Sequence, residues 1–280
     1  VEVVRTPVVR PPRVGLLVSA NPVNETGNRW QAGLEFRPGI CGRGGSWIPC
    51  ETDPEERTAT RGGAPVTYRP VGLMADDACS AVAIDFAETR QRAEDTLTVW
   101  TSAQLEAELW TGAIGDAAGF TNQRLASDDA EEVSTAPMGY VDALACLEAA
   151  LADCNGGGVG MIHAPRSVTT HWKAEGLLDA QGDLRLTTHG NIVVPGAGYD
   201  GSRDAETPAT DGSVWAYATG LVDVRLGEIQ VLPETLQQAV SGVTRDNTVE
   251  VFAQRVAAAV FDPCCLLAVE VDGVVCGAGS

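Results

Sequence analysis

Two short stretches with strand-like composition, Trp30 to Phe36 and Val66 to Val71, are separated by about thirty residues made mostly of Gly, Pro, Arg and Glu. A connection of that length has no place inside a compact domain. An ordered backbone needs hydrogen-bond partners and buried apolar side chains, and this segment supplies few of either. Two readings follow: a mobile surface loop, or a long hairpin whose partners belong to a neighbouring copy of the chain. Gly42, Gly44 and Gly45 give a turn its conformational freedom, while Trp47 and Ile48 are apolar groups that an isolated chain leaves wet. Residues 1 to 28 pose the same problem, because Pro7, Pro11, Pro12 and Pro22 remove backbone donors and favour extended chain. That stretch reads as an arm.

The next segment is the opposite in character. From Asp85 to Trp110 there is no Gly or Pro and good helix formers dominate, which predicts one long helix ended by Gly112 and Gly115. Ala93, Leu97 and Trp100 are expected on one face. Leu105 and Leu109 resume five residues after Trp100, which suggests a bend or a change of buried face near Ser102. A second helix follows Pro137, with Val141, Leu144, Leu147, Leu151 and Cys154 at steps of three and four and Asn155-Gly156 as a left-handed stop. Gly158 to His163 reads as a buried strand, and Pro165 with Ser167 opens a third helix to about Leu178. Beyond Gly182 the period shortens toward two. Strands are expected at Asn191 to Pro195, Val214 to Thr219, Val222 to Val231, Thr248 to Phe261 and Leu266 to Val271. Two of these, Val222 to Val231 and Thr248 to Phe261, are long enough for an elongated antiparallel platform.

Composition narrows the function classes. A chain of 280 residues, 44% hydrophobic, can bury one sizeable core or two modest ones. Its longest apolar runs, Val256 to Phe261 and Cys264 to Val269, are far shorter than the roughly 20 residues that span a bilayer, and no secretory signal is expected at the start. The opening Val1 in place of Met suits either trimming or proteolytic maturation. Net charge is −19, yet residues 1 to 70 hold 9 Arg and 7 Asp or Glu, net +2, which leaves −21 for the rest. An acidic body disfavours tight sequence-specific nucleic-acid binding, while a wall that encloses DNA without gripping it would be compatible with that charge. Eight cysteines spread over this length lack the spacing of a disulfide scaffold, so reduced thiols are expected. A zinc knuckle of Cys41, Cys50 and Cys79 would lack any CxxC pair.

The search for chemistry returns little. His163, His171 and His189 are the candidates for acid–base or metal work, each with a structural alternative: an edge residue, a helix neighbour of Trp172, and a turn before Gly190. The run Gly156 to Gly160 follows a helix and precedes a strand, the reverse of a phosphate-cradling loop. No GxSxG, GxxxxGK[ST] or HExxH occurs. Asp128-Asp129 with Glu131-Glu132, and Asp53 with Glu55-Glu56, read as solvated loop faces before cation sites. Cys264-Cys265 reads as a small buried pair at a strand start. No catalytic residue, cofactor or metal is expected.

The order of elements, together with three local patterns, resembles the major capsid proteins of tailed phages with the Hong Kong 97 fold. The patterns are Ser102-Ala103-Gln104-Leu105-Glu106-Ala107-Glu108-Leu109-Trp110-Thr111-Gly112, His189-Gly190-Asn191-Ile192-Val193-Val194, and Arg255-Val256-Ala257-Ala258-Ala259-Val260-Phe261-Asp262-Pro263. They are similar to the end of the family's spine helix, its axial-domain path, and its return strand closing on an acidic-proline step. The resemblance implies an α+β fold. Its parts would be an N-terminal arm (1–28), an extended β-hairpin loop (29–72), a peripheral domain with a long spine helix (73–136) and an axial α/β domain (137–221). Return strands (222–262) and an axial C-terminal strand and tail (263–280) complete it. The implied function is self-assembly, as hexamers and pentamers, into an icosahedral head shell around double-stranded DNA. The implied location is the virion, with assembly in the host cytoplasm. Portal, scaffold or cement proteins are the further partners it implies, with packaged DNA touched weakly and no membrane. Some members weld subunits through a loop lysine, but Lys173 is the chain's one lysine and lies outside the loop, so covalent chainmail is not expected. Expected subunit contacts are Trp30, Trp47 and Ile48 in the loop region and Arg5, Arg10 and Arg13 in the arm. Rival readings are an encapsulin-like compartment, a tail or decoration protein, and a cytosolic metal-dependent enzyme using the three histidines.

Overall fold

The computed structural model describes residues 10–39, 63–80, 86–204, 212–241 and 248–273. The chain enters through α1 (Leu16–Ala20) and β1 (Val23–Asn24), a 3-10 turn at Arg29–Ala32, then β2 (Leu34–Phe36), β3 (Val66–Tyr68) and β4 (Val71–Ser80). Next come α2 (Phe86–Thr111), α3 (Ala113–Ala117), β5 (Glu131–Glu132), α4 (Tyr140–Cys154), β6 (Met161–Pro165), α5 (Arg166–Ala174), β7 (Leu178–Gln181), β8 (Leu184–Thr187) and β9 (Ile192–Gly196). The return path is β10 (Ser213–Thr219), β11 (Asp223–Leu226), β12 (Gln230–Leu232), α6 (Leu236–Ser241), β13 (Thr248–Val260) and β14 (Leu266–Asp272).

Two layered blocks share α2. In the first, β13 is the spine of a sheet: β4 runs antiparallel along one side from Val71↔Ala257 to Ser80↔Thr248, and β12 and β11 take the other side. Alternation then sorts the faces. Leu73, Ala75, Val249, Val251 and Ala253 turn inward against Ala93 and Leu97 of α2, while Met74, Phe252 and Gln254 turn outward.

The second block is a seven-stranded mixed sheet in the order β5-β14-β10-β6-β9-β8-β7. Both of its faces are covered, and for that reason its central strands read as continuous apolar runs. Ile162, Val193, Ala216, Ala218, Leu267 and Val269 face α4 and α5. Their strand neighbours Met161, Val194, Tyr217, Leu266 and Ala268 face the end of α2.

Several expectations are corrected. The arm is not extended throughout: Leu16 is buried completely in the chain's own core, and Val23–Asn24 pairs in parallel with Arg225–Leu226. Gly33, at φ 137°, splits the first expected strand into a 3-10 turn and β2, although β2 does pair with β3 at Leu34↔Tyr68. The third helix stops at Ala174 because Gly176 turns left-handed at φ 73°, and the residues beyond form the hairpin β7–β8 instead. The second helix takes its left-handed stop at Gly156, φ 60°, with Asn155 still right-handed at φ −99°. Val222 to Val231 is two short strands, broken where the amide of Gly227 turns aside to the carbonyl of Val256.

The largest correction concerns α2, where Trp100 is 57% exposed. The buried stripe runs through Ala93, Leu97, Thr101, Leu105 and Leu109, an unbroken step of four. Thr101 hides its polarity by donating from Oγ1 to the carbonyl of Leu97 at 2.6 Å. A threonine that bonds its own helix can occupy a core position, so no change of face at Ser102 is required.

Candidate functional site

The two blocks and the arm meet at one side chain. Glu106 is 1% exposed on α2, and its carboxylate accepts four hydrogen bonds. Oε1 takes the amide of Leu16 and the hydroxyl of Ser102, each at 2.8 Å; Oε2 takes the amides of Ala197 at 2.7 Å and Gly198 at 3.0 Å. A buried carboxylate persists only if its lone pairs are met, and here they are met by the arm, the helix and the loop after β9.

Glycine makes the approach possible. A Cβ on Gly198 would lie 2.0 Å from the carbonyl oxygen of Ala103, and one on Gly15 would lie 2.5 Å from Glu106 Oε1. The same loop continues the clamp. The Trp110 ring sits 4.8 Å from that of Tyr199 and edge-on to Tyr217 at 4.9 Å, and its indole N–H donates to the carbonyl of Ser202. Two residues on from Glu106, Glu108 accepts the amides of Ile114 and Gly115 and so caps α3. Burial pushes its carboxyl above the usual range, and the two amides oppose that shift.

The histidines occupy three different settings. His163 lies on β6, an interior strand and not an edge, and is fully buried. Its Nε2 meets Thr219 Oγ1 at 3.0 Å and its Nδ1 meets the Tyr199 hydroxyl at 2.9 Å. Thr219 spends its own proton on the carbonyl of Gly220, so Nε2–H donates to Thr219 and Nδ1 accepts from Tyr199. Burial lowers the pKa to about 3, which keeps the ring neutral. His171 stacks on Tyr140 at 4.1 Å, and His189 lines a surface groove beside α4. Among the described residues, no group of three or more His, Cys, Asp or Glu side chains could hold a metal ion.

Other expected sites resolve as follows. Trp30 is 7% exposed, folded into its own chain with the indole N–H donating to the carbonyl of Gly27 at 2.9 Å. Arg10 and Arg13 are exposed. Arg5, Trp47, Ile48, Cys41, Cys50 and the Asp53–Glu56 patch lie outside the described residues. Glu132 of the other acidic patch pairs with Arg203 at 3.3 Å. The expectation of reduced thiols is corrected: the end of α4 lies over the start of β14, Cys154 and Cys265 form a disulfide with Cα atoms 5.7 Å apart, and Cys264 is disulfide-bonded as well. Among the described residues, Cys79 and Cys146 are free thiols and no helix is long and apolar enough to cross a membrane.

No family model and no curated protein matches the chain. Solved structures do match over nearly its full length. The capsid of an empty GTA particle, computed with C5 symmetry, aligns with TM-score 0.59 at 13% identity, over 97% of this chain and 95% of that one. The holo-SrpI encapsulin complex from Synechococcus elongatus aligns with TM-score 0.55 at 9% identity, over 100% and 96%. A Mycobacterium phage Ogopogo structure aligns with TM-score 0.54 at 14% identity, over 97% of each chain. The fold is α+β and is the Hong Kong 97 capsid fold.

Proposed function

We propose that the chain is a major capsid protein that assembles with copies of itself into a closed head shell enclosing double-stranded DNA. The observation that carries this reading is the end-to-end likeness to the capsids of GTA particles. In this reading residues 73–136 and the return strands 222–262 form the peripheral domain, and 137–221 with 263–280 form the axial domain, packed around local five- and six-fold axes. Residues 29–72 lie across a neighbour. The exposed Arg10 and Arg13, with Arg5, dock on acidic neighbours or face DNA, and Trp47 and Ile48 supply loop contacts. Trp30 contributes indirectly, by fixing the base of the loop. The shell belongs to a virion assembled in the host cytoplasm, with portal, scaffold or cement proteins as partners and no enzymatic step.

The test is direct. Expressed chain is imaged by electron microscopy beside two variants, one lacking residues 1 to 28 and one with 38 to 64 replaced by a short linker. Closed particles from the full chain and loss of normal assembly in both variants support the reading; normal shells from both variants refute the role of these segments. A second reading, an encapsulin-like compartment, is favoured by the comparably good alignment with the SrpI shell. The content of native particles separates the two: DNA for a phage head, protein cargo for a compartment.

A further inference from the structure

The Glu106 carboxylate is fully matched, which makes a buried carboxylate on the other side of the seven-stranded sheet conspicuous. Glu148, on α4, is 9% exposed, and its Oε1 is buried with no hydrogen-bond partner among the described residues. Leaving a buried acceptor unmet costs about 1 to 3 kcal/mol, more for a charged one, so such a group calls for a ligand. It borders a groove of about 610 Å³ between α4 and the turn before β9. Ala145 and Ala149 keep that face of the helix shallow, and Val141 and Val159, each about half exposed, stand at the rim. The groove therefore combines an apolar rim with an acceptor that carries no donor.

The same block carries a cation with the complementary defect. Arg166 begins α5, is exposed, and its guanidinium has no partner among the described residues. No acidic residue stands in that first turn, so the charge faces the positive end of the helix dipole. The other cations nearby are spent. Lys173 donates to the carbonyl of Leu178, Arg185 to those of Gly182 and Leu184, and Arg203 to Ser127 and Glu132. Arg166 follows the last residue of β6, whereas the groove wall at Val159 precedes the first. The two surfaces belong to different ends of one strand and stay apart within a chain.

We propose that the groove is a docking site for a second copy of this chain, whose Arg166 enters it and donates to the Glu148 carboxylate, which turns to meet it. This rests on the shell reading and adds its contact residues. Each copy offers its groove to one neighbour and its Arg166 to the other, a head-to-tail contact of the kind that closes into a ring.

The experiment compares the full chain with Glu148→Arg, Arg166→Glu and the double reversal, by analytical ultracentrifugation and micrographs across a concentration series. Each single reversal is expected to raise the concentration needed for assembly on the order of thirtyfold or more, and the double reversal to bring it back to within a few-fold of the parent. Single reversals that assemble like the parent, or a double reversal as defective as the singles, overturn the pairing. Where a reversal fails to fold, Glu148→Gln and Arg166→Gln replace it. A double change no worse than either single then supports the contact, and additive losses overturn it. A parent chain that never assembles overturns the shell reading and this inference with it; parent shells indifferent to all four substitutions overturn this inference alone.

Discussion

Replacing Glu106 by Gln tests whether one carboxylate holds the arm, the long helix and the seven-stranded sheet together. The amide nitrogen must face one of the two donor pairs: facing Ala197 with Gly198 it meets two backbone donors, and facing Leu16 with Ser102 it meets one, because the Ser102 hydroxyl can turn to accept. A hydrogen bond to a charged group contributes about 1.5 to 3 kcal/mol. The cheaper orientation loses the Leu16 bond outright and the charge on the other three, and, offset in part because a neutral amide is cheaper to bury than a carboxylate, comes to about 3 kcal/mol. For a chain of 280 residues that corresponds to a fall in melting temperature of about 5 °C. Urea unfolding of the dispersed protein measures the total, and limited trypsin digestion reports on the arm: cleavage after Arg13 should quicken as the Leu16 amide is released. A Glu106→Gln protein within about 0.5 kcal/mol of the parent, with its arm cut no faster, would refute the reasoning.

Three further outcomes are expected. Because burial holds the His163 pKa at about 3 while the unfolded ring titrates near 6.5, the unfolded chain binds the proton first. Stability should then fall by about 1.4 kcal/mol per pH unit as pH drops from 6.5 toward 3. The gap between the parent and His163→Gln in urea unfolding should narrow accordingly on acidification, and a gap independent of pH contradicts the assignment. Gly198→Ala should cost about 3 kcal/mol or more, since its Cβ meets helix backbone and not a movable side chain; thermal unfolding unchanged from the parent argues against so close an approach. Alkylation of the native oxidised protein should label Cys79 and Cys146, and label Cys154 and Cys265 only after reduction, as peptide mapping would show.

The sequence disclosed those parts of the fold in which one residue type has one plausible use. The long helix, the second helix and the β13 and β14 strands were legible because periodicity and the positions of Gly and Pro agreed. The site was not. Glu106 and Glu108 are good helix formers in a glutamate-rich run, and nothing local distinguishes a carboxylate met by distant amides from one met by water. A signal was present only in combination: a Gly-Ala-Gly step after a strand allows a backbone to lie against a helix, and such a helix can offer it an acceptor. Trp100 misled for the converse reason, because an aromatic at helical spacing is read as core unless the threonine beside it is credited with bonding its own helix. The β7–β8 hairpin escaped because Leu178 to Gln181 carries mainly polar, exposed side chains, as suits the sheet's outermost strand.

A carboxylate has room for about four donors, and at Glu106 all four places are taken by groups from three parts of the chain. The root of the arm, the long helix and the seven-stranded sheet are therefore tied at one point, and a rotation among them breaks at least one of these bonds. In the proposed shell, copies in flatter and more sharply bent surroundings would absorb the difference where one molecule touches the next. Curvature of such a shell would then be a property of the seams and not of the tile.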